Sequence, residues 1–299
     1  MATTHAIPDP VPAHTLTSRL RDYYTLTKPE VNLLILMTTS AGYYLGSTGP
    51  FKMAGLVNTL LGTLLVASGT ATLNQFMERR HDAQMHRTAN RPLVSGRLSA
   101  REALRFGLSL SVAGGLYLAA TVNGLAALLA ISTLLAYLLV YTPLKRITPL
   151  CTLLGAIPGA MPTLIGWAGA SARIDRHALL LFAILFLWQF PHFLAIALMY
   201  REDYSRAGFR MLPQWDSDGR FTRAEIVGFT VVLAIVTMLP LAGRGGTAHF
   251  LCMFAAAAFF LYHTAHLAMS SSKILPSRVL HASVIYLPVV LVLMAAWKS

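Results

Sequence analysis

The sequence predicts an all-α polytopic membrane protein with nine transmembrane helices. Three observations carry that expectation. Only 12% of the residues are charged, 55% are hydrophobic and the mean hydropathy is +0.57. Soluble globular chains carry roughly 25% charged residues, so an ordinary water-soluble domain is excluded. The charges are also gathered into short stretches that separate long uncharged runs, among them 31–51, 53–77, 147–172 and 279–297. Each run can hold a helix of about 20 residues, the length that crosses about 30 Å of hydrocarbon. Finally, the basic residues fall mainly on one side of the expected topology.

Taken in order, the first 27 residues include Pro8 and Pro10 and few basic residues, and they fit neither a signal peptide nor an Arg-rich transit peptide. Residues 1–27 are therefore expected to be a flexible cytoplasmic tail ahead of a single transmembrane domain at 28–299. The runs 31–51 and 53–77 supply two spans. The run 106–144 is too long for one crossing, and "TVNG" at 121–124 is a natural turn in its middle. Two more spans follow at 147–172 and 177–200, and three lie beyond Glu225.

With an odd number of spans the termini face opposite sides and the loops alternate. One side then carries Arg19, Arg21, Lys28, the arginines from Arg79 to Arg105, Lys145, Arg146, those from Arg201 to Arg223, Lys273 and Arg278. The other keeps only Lys52, Arg173, Arg176, Arg244 and Lys298. Retention of positive charge makes the richer side cytoplasmic. It also accounts for the net charge of +12 without nucleic acid, so the expected surroundings are membrane lipid alone. Eleven of the twelve acids, all but Asp175, lie on the same side, which the orientation rule does not require. Cys151 and Cys252 lie inside predicted spans without metal-type spacing and are expected to be small core residues.

Three polar loops on that face hold candidate chemistry. In "NQFMERRHDAQMHRTANRPL", Asn74, Glu78 and Asp82 are four residues apart, so their oxygens share one helical face. Such hard oxygens suit Mg²⁺, which takes one or two carboxylates and completes its shell with water and phosphate; a solvated helix end paired with nearby arginines explains the pattern equally well. Arg87 and Arg91, again four apart, are suited to a phosphate, though retention of positive charge accounts for them too. Lys145 and Arg146 in "YTPLKRITP" are either membrane-edge anchors or a grip on a leaving diphosphate. The third loop starts inside a span with "WQFPHF" and emerges as "YREDYSRAG". His192 and Asp203 could share one side if the helix continues through Pro191. A histidine inside a span often faces a cavity, and packing between helices is the alternative, as it is for His263 and His266.

In sequence order, "LTKPE", the Asn74–Leu93 stretch, "YTPLKRIT", "GAIPGAMPTLIGW", "WQFPHF" with "REDYSRAG" and "RVLHASVIYLP" resemble the UbiA-type superfamily of intramembrane prenyltransferases, and within it the branch that acts on haem. The resemblance covers nearly the whole chain. It implies a UbiA-type helical bundle in a bacterial inner (plasma) membrane, with the active site at the cytoplasmic face. It implies farnesyl diphosphate as donor and haem b as acceptor, and a product passed on to a haem a synthase or a terminal oxidase. Asn74, Glu78 and Asp82 would hold Mg²⁺, with Asp203 as a further metal ligand from the facing half. Arg87, Arg91, Lys145 and Arg146 would bind the diphosphate. Trp188, Gln189, His192 and Tyr200 would lie on the haem side, with His192 as a candidate base. Two departures stand out: Glu78 replaces the Asp usual in the first motif, and the Asp-rich second motif is reduced to Glu202 and Asp203. Another acceptor, such as an aromatic acid or a chlorophyll-type ring, is the nearest alternative, and a non-enzymatic haem-binding or transport protein is a more distant one.

Overall fold

The computed structural model describes residues 15–216, 218–239, 246–270, 272, 274–296 and 298, and every regular element among them is helical. Residues 1–14 of the expected tail, and Arg244 and Lys273 of the charge distribution, lie outside the described residues. The remainder of that tail forms helix α1 (Leu16–Leu26), opened by Thr15, whose hydroxyl accepts from the Ser18 amide at 3.2 Å. Leu26 is fully buried and its carbonyl accepts from Gln75 Nε2 at 2.8 Å. Arg97 Nε bonds Asp22 Oδ1 at 2.9 Å. Thus α1 is docked by specific contacts, which its own polar sequence does not announce.

The long helices are α2 (Pro29–Gly46), α3 (Met53–Asp82), α4 (Ala100–Thr121), α5 (Gly124–Leu135), α7 (Cys151–Ser171), α8 (Arg176–Met199), α11 (Arg220–Met238), α12 (Thr247–Met269) and α13 (Leu275–Ala296). A π-helical turn at Ala136–Tyr141 extends α5 into the short α6 (Thr142–Leu144). Counting that extension with α5, eight of these are long and apolar enough to cross a membrane. The ninth expected span, α2, has the length of 18 residues but falls outside those eight. Its polarity has a structural cause: Asn32 is buried and donates to Ser68 Oγ at 2.9 Å on α3. The expected turn at 121–124 is present, with Asn123 capping α5 through the Ala126 amide at 2.8 Å.

The helices α2, α3, α4, α5 and α7 pack together, as do α8, α11, α12 and α13, and α7 and α8 join the two groups. Helix α7, with 72% of its span-length window buried, packs on α2, α3, α5 and α8, while α8 packs on α11 and α13. Contact between α13 and α2 completes the arrangement. Small residues permit the tightest approach: a Cβ at Gly42 would lie 2.2 Å from the Thr163 carbonyl oxygen, and one at Gly166 would lie 2.0 Å from that of Thr39. Interfaces between helices in lipid are enriched in small residues for this reason. Cys151 is buried as expected, whereas Cys252 is exposed on α12, facing outward rather than into the core.

At one end of the bundle the loops fold over the helix ends. Met85, Cys151, Ala197, Ala207, Phe209 and Met211 form a small buried cluster there. It joins the segment after α3 to α7, α8 and the loop holding α9 (Arg201–Arg206) and α10 (Leu212–Trp215).

Candidate active site

Helix α3 is 30 residues long, about 45 Å at 1.5 Å per residue, so it exceeds the roughly 30 Å of hydrocarbon and carries its last turns to the edge. Those turns hold Asn74, Glu78 and Asp82, exposed by only 1%, 4% and 1%. Buried carboxylates need partners, and each rung has a cationic one. Lys28 Nζ donates to Asn74 Oδ1 at 3.3 Å. Lys145 Nζ donates to Glu78 Oε1 and Oε2 at 3.1 and 3.3 Å. Arg91 Nη1 donates to Asp82 Oδ2. The Asn74 amide also donates to Thr142 Oγ1 at 3.1 Å, at the start of α6.

The backbone is shaped to deliver these cations. Lys28 has φ 51° and ψ 66°, a left-handed conformation that non-glycine residues rarely adopt, and it lies immediately before Pro29 at the start of α2. Strain of this kind persists where surrounding contacts hold it. Burial, then the charges of Arg91 and Lys145, lower the Lys28 ammonium to about 7. Lys145 is boxed by aromatic rings, 4.4 Å from the Tyr141 centroid and 5.9 Å from those of Tyr137 and Phe209. The π-helical turn presents both tyrosines. The Lys145 carbonyl accepts from the Arg210 amide at 2.7 Å, fastening the α9–α10 loop above it.

A second group lies on the rim. Helix α3 ends at Asp82 and the segment beyond it is a series of turns, so Arg87 and Arg91 do not share a helical face. Arg91 reaches the ladder, while Arg87 donates to Tyr204 Oη at 3.1 Å and lies over the Tyr200 and Tyr204 rings at 5.4 and 5.2 Å. Helix α8 runs on through Pro191 but stops at Met199, so Asp203 belongs to the separate helix α9 and does not continue the line of His192. Its carboxylate pairs with Arg206, which also bonds His86 Nε2 at 2.7 Å. Burial opposes the Asp203 charge, but the Arg206 bond and charge and the Arg87 backbone N–H hold its carboxyl below the usual range.

Deeper in the bundle, His192 is tied to α13. Its Nδ1 lies 2.7 Å from Ser283 Oγ, its ring stacks on Trp188 at 4.5 Å, and Trp188 Nε1 donates to the Ser283 carbonyl at 2.8 Å. The single hydroxyl proton of Ser283 goes to the Leu280 carbonyl at 2.6 Å. A hydroxyl has one proton to give, so with that proton on the Leu280 carbonyl, Nδ1 of His192 is the donor and Nε2 carries the lone pair. Gln189 Nε2 donates to the Ala156 carbonyl at 2.9 Å, bridging α8 to α7. His263 packs edge-on against Phe259 at 4.8 Å.

Residues 35–296 match the UbiA prenyltransferase family. The chain belongs to the UbiA prenyltransferase family. It is 46% identical over 285 residues to Protoheme IX farnesyltransferase of Solibacter usitatus, covering 92% of this chain and 98% of that relative. It is 43% identical over 295 residues to the protein of the same name from Koribacter versatilis, covering 95% of each. Among solved structures, a digeranylgeranylglyceryl phosphate synthase aligns with a TM-score of 0.77 at 18% identity, over 94% of this chain and 98% of that one. A UbiA homolog from Archaeoglobus fulgidus bound to DMAPP and Mg²⁺ aligns with a TM-score of 0.66 at 15% identity, over 91% and 99%. These structures establish the shared fold.

Within this UbiA bundle, the expected residues divide into three places. Asn74, Glu78, Asp82, Arg91 and Lys145 meet in one buried cluster. Arg87, Tyr200 and Asp203 form the rim, where Asp203 is paired with Arg206 rather than with the ladder. Trp188, Gln189 and His192 lie in the inner seam between α7, α8 and α13. Arg146 Nε is buried without a hydrogen-bond partner. Sequence reasoning missed Lys28, Thr142, Tyr204 and Ser283. The donor set of the ladder suits a hard divalent ion, with one amide and two carboxylate groups on one face. Among the described residues no three His, Cys, Asp or Glu side chains stand together as a ready-made metal centre. An ion held here would draw its other oxygens from water and phosphate, as Mg²⁺ does.

Proposed function

We propose that this UbiA-family enzyme transfers the farnesyl group of farnesyl diphosphate to a vinyl group of haem b, with addition of water, forming haem o and diphosphate. The observation that carries the acceptor is near full-length identity of 46% and 43% to relatives that bear the protoheme IX farnesyltransferase name. The ladder and its cations support the donor: a multiply charged head group at the membrane's edge, with a hydrocarbon tail inside.

Asn74, Glu78 and Asp82 would hold Mg²⁺, which when bound supplies positive charge to the departing diphosphate. Lys28, Arg91 and Lys145 are in place before the allylic C–O bond breaks, so they stabilise the leaving anion without reorganising. Tyr137, Tyr141 and Phe209 surround Lys145 with ring faces and keep water from the developing cation. Arg87 and Arg146 extend the positive rim towards phosphate and haem propionates. His192, with its Nε2 lone pair, accepts a proton from the water that adds to the haem side chain. Trp188, Gln189 and Tyr200 line the acceptor side. In this proposal Asp203 orders Arg206 and the Arg87 backbone and draws no step of its own. The site end of the bundle faces the cytoplasm of a bacterial plasma membrane, and a haem a synthase or terminal oxidase takes up the product.

Membranes containing the chain, supplied with farnesyl diphosphate and haem b, are expected to form haem o, measured by chromatography and mass. Turnover with a phenolic acid and none with haem b would replace the acceptor assignment.

A further inference from the structure

The three ladder rungs are each engaged by a different cation from a different segment: Lys28 ahead of α2 on Asn74, Arg91 beyond α3 on Asp82, and Lys145 after α6 on Glu78. We infer that these cations are exchangeable counterions, holding the ladder in the resting protein and crossing to the diphosphate when a divalent metal takes their place. Binding of metal and diphosphate is therefore mutually dependent. This inference rests on the metal-ladder reading above and concerns the order and coupling of binding at that site.

Charge bookkeeping decides the direction. The two carboxylates are already matched by Arg91 and Lys145, with Lys28 as a third cation when it is protonated, so a bare divalent ion finds no unpaired negative charge and must displace charge-assisted hydrogen bonds. Diphosphate alone fares no better, since drawing the cations away leaves Glu78 and Asp82 buried, unpaired and facing phosphate oxygens. When both arrive, the metal satisfies the carboxylates while the three cations satisfy the phosphates, and every charge keeps a partner. The side chains are suited to such an exchange. Lysine is a point charge on a flexible stem, and the arginine fork can bond two oxygens at once. The aromatic box also lies beside the Lys145 ammonium, 4.4 Å from the Tyr141 ring centroid, so the cation keeps a ring face nearby as it changes anion partner.

The test uses the full chain in detergent, with Mn²⁺ as the metal and inorganic pyrophosphate as the head group. Protein-bound Mn²⁺ is measured by equilibrium dialysis against buffers of matched Mn²⁺ and pyrophosphate, so that the soluble Mn²⁺–pyrophosphate complex is the same on both sides. Pyrophosphate is expected to tighten Mn²⁺ binding by about tenfold or more, and Mn²⁺ to tighten pyrophosphate binding by the same factor, because coupling is reciprocal. Lys145→Met should tighten Mn²⁺ binding measured without pyrophosphate and shrink the coupling. Because that variant leaves Glu78 without its partner, Lys28→Met serves as a second probe; it faces a neutral amide, and the same two changes are expected. Independent binding of the two ligands, or weaker metal-only binding in folded Lys28→Met, overturns the exchange while leaving the metal ladder intact. Absence of Mn²⁺ binding even with saturating pyrophosphate overturns the metal-ladder reading itself.

Discussion

Asp82 is the outermost ladder rung, 1% exposed and bonded by Arg91. Asp82→Asn preserves shape and a polar partner for Arg91 but removes one of the two carboxylates, so turnover should fall by on the order of 100-fold or more, the scale seen when a charge-stabilising group is removed. Unfolding temperature in detergent should change little, and near-normal haem o formation would remove the ladder from the mechanism. His192 offers a finer test, because Ser283 sets which nitrogen carries the proton. Ser283→Ala frees the imidazole to adopt either tautomer and should lower turnover by about tenfold, as loss of a histidine's orienting partner commonly does. The KM for farnesyl diphosphate should stay unchanged and Ser283→Thr should restore activity; an unaltered rate in Ser283→Ala would return His192 to a packing role. The sequence showed the ladder because its spacing is local. Lys28, Thr142 and Ser283 were hidden because they meet their partners across 46, 68 and 91 residues, and no helical period records such contacts.

At the scale of elements, the α2–α7 contact determines where Lys28 sits, since α2 begins one residue after it. Gly166→Ala would place a methyl carbon 2.0 Å from the Thr39 carbonyl oxygen, and backbone on a packed helix cannot yield that distance cheaply. This variant should lower the unfolding temperature and, by displacing α2, weaken pyrophosphate binding. Gly228→Ala on α11 is the control, because no heavy atom lies within 4 Å of the added carbon; it should match the parent in both measurements. Hydropathy made the long helices legible, including the turn at 121–124. It failed where docking rather than composition creates a helix, as in α1, while α2, expected from its uncharged run, carries polar residues such as Asn32 that serve helix contacts. The four-residue spacing of Arg87 and Arg91 misled for a related reason: α3 stops at Asp82, and the turns beyond it send one guanidinium to the ladder and the other to Tyr204.

For the whole molecule, the arrangement of charge makes a claim about sidedness. The segments expected to be cytoplasmic meet at one end of the bundle through Arg19–Glu102, Arg97–Asp22, Lys145–Glu78 and Arg206–Asp203. The opposite end carries few charges, with Lys298 bonded to the Tyr44 and Ser47 carbonyls. Alternating helices bring distant loops together, so a one-sided excess of arginine in the sequence becomes a single charged face in three dimensions, and positive charge is retained on the cytoplasmic side. A donor whose diphosphate is water-soluble and whose tail is not would approach from that face and slide its chain between the helices. In a protein with Cys151 and Cys252 replaced by alanine, a cysteine at Trp215, exposed by 63%, should react with a membrane-impermeant maleimide in inside-out vesicles and resist it in intact cells with a permeable outer layer. A cysteine at Pro50, at the other end beyond α2, should show the reverse pattern. Labelling of the Trp215 position from outside would turn the enzyme over in the membrane and place the ladder at the outer face.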